Sequence, residues 1–206
     1  MYKQGILLIY LMLLALLSCD GLLDTYESSV AYKLRDRGPA GGWIFYINPN
    51  WERDGWRYLE AAPSDLSGTV QWDFNGSPPN TNAKATAVGT GKANTTIIVG
   101  VLGAGSYAAL LCDTLPVNGY NDWFLPSKGE LELMCWNLRG KNTTNGNNPD
   151  VPNVAGAGIG GFILSSYWSS SENSQTEACT QNFNNGVQYD NTTKSNYINV
   201  RAIRAF

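Results

Sequence analysis

The chain has 206 residues and a formal net charge of -3 at pH 7, with charged residues making up only 15% of the sequence. This length suits one domain with its own hydrophobic core, and a sequence pI of about 4.9 argues against a nucleic-acid partner. The chain contains no histidine, which excludes Ser-His-Asp and Cys-His catalysis and every zinc site that requires imidazole.

The amino terminus has the pattern of an export signal. Lys3 supplies a positive charge, and the continuous apolar run from Ile6 to Leu17 is shorter than the roughly 20 residues that span a bilayer. Leu-Leu-Ser before Cys19 resembles a bacterial lipobox, in which the signal is cleaved just before the cysteine and the cysteine is acylated. We therefore predict a signal peptide at 1–18, an acylated Cys19 and a tether at 19–37. The alternative is an ordinary secretory signal or an uncleaved anchor, with Cys19 incidental.

An acylated Cys19 would carry more than one chain, which is what stable membrane anchoring requires. The expected location is therefore the bacterial cell envelope, lipid-anchored, with the choice of inner or outer membrane and of membrane face left open. Three other cysteines remain, Cys112, Cys135 and Cys179. We expect small buried thiols at these positions, although one pair among the three could form a disulfide.

From Gly38 onward the residue pattern is that of a folded domain, predicted to cover 38–206. Short apolar runs closed by proline predict strands at Trp43–Ile47 and Trp56–Ala61. Residues 64–90, rich in Ser, Thr, Asn, Gly and Pro, predict a long surface excursion. Apolar residues at helical spacing then predict helices at about 92–102 and 106–114, the second burying Tyr107, Leu110 and Leu111.

The clearest local signal is the stretch GYNDWFLPSKGELELMCWNL, from Gly119 to Leu138. Pro126 disfavours helical geometry at the residue before it, and Ser127 with Glu130 forms the Ser-x-x-Glu pattern of a capping box. Four apolar residues behind this cap recur at i, i+3, i+4 and i+7, and so predict one buried helical face. They are Leu131, Met134, Cys135 and Leu138.

The last third of the chain predicts a loop followed by strands. Residues 139–161 are rich in Asn and Gly without a core-forming pattern. Asn184-Asn185-Gly186 contains an Asn-Gly hairpin signal between two strand-like runs. The predicted strands lie at 167–172, 179–183, 187–189 and 197–206.

Several segments occur in an order that resembles a known family. They are GPAGGWIFY, GWRYLEAAPSDLSGT, GYNDWFLPSKGELELM, GGFILSSYWSSSE, QNFNNG and VRAIRAF. Together they closely resemble the bacterial DUF1566 domain, also named for the C-terminal domain of a Legionella collagen-like adhesin, over Gly38 to Phe206. That family is similar to the C-type-lectin-like superfamily, which includes the formylglycine-generating domains. The resemblance implies an α+β fold with two main helices packed on a short, twisted antiparallel sheet with long loops.

The resemblance also implies a set of structural motif residues. In the wider group a Leu-Pro-x-x-x-Glu-Leu helix, a tryptophan-containing strand and a terminal Val-Arg-x-x-Arg strand recur. The matching residues here are Trp123, Pro126, Ser127, Glu130, Trp168, Glu172, Arg201 and Arg204.

The polar motifs favour structural roles over chemistry. Ser169–Ser171 lack a histidine base, so we expect alternate serines in the core and Glu172 accepting hydrogen bonds or pairing with an arginine. Arg201 and Arg204 are three residues apart and would face opposite sides of a regular strand. We expect a structural ion pair for at least one of them, with Glu130 or Glu172 as candidate partners, and leave open whether the other faces ligand or solvent.

Catalytic and metal sites are not predicted. The calcium motifs by which many C-type lectins hold sugars are absent, and no loop has a carboxylate-rich spacing. The cysteine pair of the formylglycine-generating relatives has no recognisable counterpart. We therefore predict no enzyme activity, no cofactor and no metal.

The predicted function is that of a membrane-anchored, non-catalytic binding module for adhesion or for capture of a glycan or protein ligand. The loops at 64–90, 140–160 and 184–195 are where a ligand is expected. The candidate ligand-facing residues are Trp72, Asn182, Asn184, Gln188 and Tyr189. The alternatives are a structural or envelope-assembly lipoprotein, and an enzyme related to formylglycine-generating domains.

Overall fold

Short helices and two small antiparallel sheets form the regular structure of the described residues. The computed structural model describes residues 31–74, 79–140 and 158–206. The strands are β1 (Trp43–Ile47), β2 (Tyr58–Ala61), β3 (Ser166–Glu172), β4 (Glu177–Asn182), β5 (Gln188–Thr193) and β6 (Ile203–Ala205). The α-helices are α1 (Trp51–Asp54), α2 (Gly91–Leu102), α3 (Ala108–Asp113) and α4 (Lys128–Met134). This mixture confirms the predicted α+β class.

The first sheet has the strand order β1-β2-β6, with both pairs antiparallel. The predicted terminal strand at 197–206 is regular only over Ile203–Ala205. Ahead of it the chain makes single bridges instead, such as Ile198 with Val70. The end of the chain therefore pairs with several partners in turn, and no single register covers it.

The second sheet has the order β3-β4-β5, again antiparallel. The predicted hairpin between β4 and β5 is confirmed, because Asn182 and Val187 pair across the turn and Gly186 donates back to the Asn182 carbonyl. Within the described residues β5 lies at the outer edge of this sheet.

The predicted capping box starts α4 and is confirmed. The Ser127 hydroxyl accepts from the Glu130 backbone N–H at 3.3 Å, and Glu130 Oε2 accepts from the Ser127 N–H at 2.7 Å. The helix then widens into a π-helical turn over Cys135–Arg139, which ends at Gly140 with φ 78°. The predicted apolar face is buried, at Leu131, Met134, Cys135 and Leu138.

The other two predicted helices are present as α2 and α3. Tyr107 is buried as predicted, but it precedes α3 in extended backbone and donates its hydroxyl to the Gly103 carbonyl. The residues that α3 buries are Ala108, Ala109 and Cys112, whereas Leu110 and Leu111 are only half-buried. The prediction placed the larger side chains in the core, whereas α3 packs closely through its smaller side chains.

Two apolar clusters form the core. One surrounds Trp72, Trp123 and Trp168 between α2, α3 and the second sheet. The other surrounds Phe45 and Phe183 and receives the buried face of α4.

Two predicted loop regions take part in this folded structure. Tyr32 packs edge-on against Tyr58 and Phe206 at ring distances of 5.3 and 5.7 Å, and the Arg35 N–H donates to the Ile44 carbonyl. The folded unit therefore begins at Tyr32 rather than at the predicted Gly38.

The predicted surface excursion at 64–90 is also partly internal. Trp72, Thr81 and Ala83 are buried, and the Ala83 carbonyl accepts from the Glu172 N–H. The described part of this stretch therefore combines exposed residues with a buried portion that bonds to the second sheet.

Candidate functional site

Trp72 does not face a ligand, contrary to prediction. Its side chain is 1% exposed, and its indole N–H donates to the Ser169 carbonyl at 2.8 Å. The Lys194 ammonium lies 4.3 Å from the Trp72 ring centroid. Although Trp72 lies in a polar stretch of the sequence, its large apolar side chain is part of the first apolar cluster of the core.

The hairpin residues lie near one another in the chain but do not share one surface. Gln188 is half-buried and donates to the Lys128 carbonyl at 3.0 Å, whereas Tyr189 is 42% exposed. They are consecutive in β5, opposite Gln181 and Thr180, and so lie on opposite faces of the sheet.

The two candidate asparagines at the turn also differ in their exposure to solvent. The Asn182 carboxamide oxygen accepts from the backbone N–H groups of Asn184 and Asn185, at 2.8 and 3.2 Å, which fixes the turn. Asn184 itself is exposed. Of the five predicted residues, only Tyr189 and Asn184 present their side chains mainly to solvent.

Glu172 and the serines before it are structural. Ser169, Ser170 and Ser171 are all buried, and Ser169 donates to the Cys179 carbonyl. Glu172 pairs with Lys194, Nζ to Oε1 at 2.6 Å, with both side chains almost fully buried.

Glu172 accepts hydrogen bonds as predicted, but its cation is a lysine and not the arginine that was the predicted alternative. The same carboxylate also accepts from the backbone N–H groups of Thr81 and Asn82, at 2.9 and 2.6 Å. Glu172 thus holds the 81–83 segment against the second sheet.

Both terminal arginines are buried in ion pairs, as predicted for at least one of them, and neither faces solvent. Arg204 forms a fork on Asp122 at 2.8 and 2.9 Å and also reaches Glu60 at 3.2 Å. Arg201 pairs with Asp65 at 2.6 Å. Neither pairs with Glu130 or Glu172. The strand rule failed because Arg201 precedes β6 and is not part of a regular strand.

The other structural motif residues lie in the core. Trp123 and Trp168 donate their indole N–H groups to the carbonyls of Tyr120 and Val70. Pro126 is buried, and its carbonyl accepts from the Ser170 N–H at 2.7 Å. Burial raises the pKa of Glu130, although backbone donors from Ser127 and Gly89 oppose that shift.

The thiols are not activated. Cys112, Cys135 and Cys179 are buried and form no disulfide with one another. Burial raises the pKa of Cys112, and burial together with the neighbouring Asp190 carboxylate raises the pKa of Cys179 to about 12. A thiol with such a pKa stays protonated at neutral pH and is a poor nucleophile.

Across residues 31–74, 79–140 and 158–206, no three Cys, Asp or Glu side chains converge as a metal site would require. Asp190 is paired with Lys128 at 2.6 Å. This pair and the Gln188 contact fasten β5 to the start of α4.

An open depression that was not predicted lies beside Trp51 in the described structure. This Trp51 groove is lined by Pro49, Asn50, Trp51, Glu52 and Arg53, and has a volume of about 400 Å³. Trp51 is 43% exposed. The sequence signal that could have found it is a tryptophan placed between the turn Asn48-Pro49-Asn50 and three consecutive charged residues.

The loop that carries Trp51 is held by buried hydrogen bonds. Asn48 is 3% exposed, and its amide donates to Asp54 Oδ2 at 3.0 Å and to the Trp56 carbonyl at 3.1 Å. Its carboxamide oxygen accepts from the Asn50 N–H at 2.9 Å. Gly55, with φ 75°, ends α1 in the left-handed conformation that glycine adopts most readily. One short helical turn is thus fixed between β1 and β2.

The charges around the groove are distributed unevenly. Arg53 pairs with Asp54 at 2.8 Å, and the hydrogen bonds from Arg53 and Asn48 lower the pKa of Asp54. The Arg57 guanidinium lies 5.4 Å from the Trp51 ring centroid and 5.3 Å from that of Tyr58. The groove therefore combines an exposed aromatic face with amide, carboxylate and guanidinium groups.

Comparisons with known proteins give little guidance. Neither a protein-family model nor a curated protein matches the chain. A fimbrial protein from Bacteroides ovatus has a similar structure, with 13% identity and a TM-score of 0.46 over 89% of this chain. The chain spans 40% of the length of that protein.

No helix in the described segments is both long enough and apolar enough to cross a membrane.

Proposed function

We propose that this protein is a lipid-anchored, non-catalytic module of the bacterial cell envelope that captures carbohydrate in the Trp51 groove. In this proposal residues 38–206 are a DUF1566 domain with a C-type-lectin-like fold. The ordered motif segments and the α+β architecture support that assignment. The anchor is acylated Cys19, which lies outside the described residues, and its support is the Leu-Leu-Ser-Cys sequence.

The observation that carries the proposal is the exposed indole of Trp51 in an open groove. The apolar face of a sugar ring stacks on an aromatic side chain, and amide, carboxylate and guanidinium groups around it bond the hydroxyls. Asn50, Glu52 and Arg53 supply such groups in the same groove. Because Asn48 holds the loop in place, little conformational entropy would be lost when a ligand binds.

Three features support a binding role over a catalytic one. The chain lacks histidine, its serine run at 169–171 is buried in hydrogen bonds, and burial holds the thiols of Cys112 and Cys179 in the protonated form.

A glycan array tests the proposal, using soluble residues 20–206 of the wild type and of Trp51→Ala. Tyr189→Ala is the matched control, because Tyr189 and Trp51 are almost equally exposed, at 42% and 43%. We expect saturable binding that Trp51→Ala weakens about tenfold or more, equivalent to about 1.4 kcal/mol, and that Tyr189→Ala leaves unchanged. A blank array contradicts the proposal, and loss of binding in Tyr189→Ala alone would move the site to the hairpin.

A protein ligand is the second candidate, favoured by apolar residues at the hairpin end of the second sheet. Ile163, Leu164 and Val187 are 54%, 44% and 39% exposed. They lie at the same end of the sheet, because the Phe183 N–H donates to Ser165 and the Asn182 N–H donates to Val187. Cross-linking in intact envelopes, compared with a Val187→Asp variant, distinguishes this candidate from glycan capture.

A further inference from the structure

We infer that the sugar recognised in the Trp51 groove is a uronic acid, whose carboxylate binds Arg57. This inference rests on the proposed function, since it names the class of carbohydrate that the groove would take. It is carried by the charge of Arg57 and by the position of its guanidinium beside Trp51.

Arg57 has aromatic neighbours in place of a carboxylate. No ion pair found among the described residues includes it, and its guanidinium lies beside the rings of Trp51 and Tyr58. Its Nε is buried and has no hydrogen-bond acceptor within the described segments. A guanidinium is always charged and presents a planar fork that fits a carboxylate.

The nearby arginines show the contrast. Arg53, on the groove itself, is paired with Asp54. Arg204 and Arg201 are paired with Asp122 and Asp65. Close to the groove, Arg57 is thus the cation whose charge the described carboxylates leave uncompensated.

The backbone around Arg57 is well fixed. Its N–H donates to the Phe206 carbonyl at 2.8 Å, and its own carbonyl accepts from the Asn48 N–H at 2.7 Å. The backbone that carries the Arg57 side chain is therefore fixed, which limits the conformational entropy lost when the guanidinium binds a ligand.

A uronic acid matches this arrangement in two ways. Its pyranose ring offers an apolar face to Trp51. Its carboxylate projects from the ring edge, where the guanidinium beside the indole can donate charge-assisted hydrogen bonds to it. Glu52 also lines the groove and repels such a ligand. Neutralising Glu52 should therefore strengthen binding of the acid.

Calorimetry with oligogalacturonate, oligoguluronate and oligomannuronate tests the inference, each compared with its methyl ester. The ester keeps the ring and removes the charge, so the pair isolates the carboxylate. We expect at least one acid to bind about tenfold more tightly than its ester, with less difference at higher salt.

Variants test whether Arg57 causes the preference for the acid over the ester. Arg57→Gln should abolish the difference between acid and ester, Glu52→Gln should enlarge it, and Trp51→Ala should weaken both ligands. Arg57→Lys keeps the charge and the ring contacts but loses the fork, and is expected to retain a reduced preference. It replaces Arg57→Gln if that variant does not reach the wild-type unfolding midpoint.

The outcomes separate the inference from the proposed function. Equal affinity for acid and ester, or binding of neutral array glycans with no uronate bound, overturns the uronate inference and leaves carbohydrate capture standing. An undiminished preference for the acid in folded Arg57→Gln, or in Arg57→Lys where that variant replaces it, also overturns it. Failure of every glycan, acidic or neutral, overturns the proposed function.

Discussion

Three of the buried cationic side chains in the described residues are matched to carboxylates. Arg201, Arg204 and Lys194 are each almost fully buried, and each contacts a carboxylate within 3.2 Å. Burial of an ion is tolerated only when its partner and further hydrogen bonds replace water. Arg57 departs from this pattern, which is why a ligand carboxylate is assigned to it.

Arg204→Ala should destabilise the domain strongly. The substitution leaves Glu60, which is fully buried, without its cation, and it removes the fork on Asp122. Removing one partner of a buried pair typically costs about 3–5 kcal/mol. Urea unfolding of residues 20–206 measures the loss.

The control for this substitution is Arg53→Ala. Arg53 pairs with Asp54 on the surface, with 75% of the arginine side chain exposed, so this variant should leave the unfolding midpoint nearly unchanged. An unchanged unfolding midpoint in Arg204→Ala would show that the buried network contributes nothing.

Sequence reasoning at this scale identified buried motif residues better than it identified partners. Glu172 was expected to be structural, but its cation is Lys194, 22 residues further along the chain. Glu130 or Glu172 was the candidate partner for one of the two arginines, but Arg201 pairs with Asp65, and Arg204 pairs with Asp122 and Glu60. Such pairings depend on how distant segments are brought together, and spacing along the chain does not encode that.

Among the elements, α4 shows how far local signals reach. Its start, its cap and its buried face were all predicted, because each depends on residues within one or two turns. The π-helical turn that follows at Cys135–Arg139 was not predicted, since its apolar spacing continues that of the helix. The short helix α1 was missed as well, because four residues are too few to show a period.

Ser127→Ala tests the cap. Ser127 is fully buried, accepts from the Glu130 N–H and donates to the Ala87 carbonyl at 2.8 Å. Loss of a capping side chain costs about 1 kcal/mol, up to about 2 in the most dependent helices.

Thermal or urea unfolding provides the measurement for this variant. Thr96→Ala serves as its control, because Thr96 is exposed within α2 and caps nothing. Equal stability of Ser127→Ala and Thr96→Ala would contradict a stabilising role for the cap.

The choice of tryptophan marks the limit of sequence reasoning about the site. Trp72 and Trp51 both lie in polar surroundings in the sequence, yet one fills the core and the other lines a groove. The difference arises from long-range pairing, since the backbone N–H of Trp72 donates to the carbonyl of Lys194, which is distant in the sequence. Trp51 instead sits on a short turn between paired strands.

For the whole molecule, net charge sets the conditions under which the proposed ligand would be met. Removing the predicted signal takes away Lys3, which leaves 13 of the 14 basic residues against 17 acidic ones, a net charge of -4. Long-range attraction therefore does not draw an acidic glycan to this domain. Recognition of a uronate must come from close contacts in the Trp51 groove, where screening by salt is weaker than at long range.

Cys19→Ser tests the proposed anchor in the full chain, expressed in a bacterium that processes lipoproteins. The wild type should fractionate with membranes and carry acyl chains that intact-mass spectrometry detects, because multiple chains hold a protein stably at a bilayer. The variant should lose both properties. An acyl-free wild type, or a membrane-bound Cys19→Ser, would refute the anchor.

Isothermal titration of wild type, Trp51→Ala and Tyr189→Ala with the best-binding array glycan addresses carbohydrate capture in the Trp51 groove most directly. We expect a one-site isotherm for the wild type, a loss of about tenfold or more in affinity for Trp51→Ala, and unchanged affinity for Tyr189→Ala. Circular dichroism and the unfolding midpoint verify that both variants are folded. Wild-type affinity in a folded Trp51→Ala would contradict the proposed site.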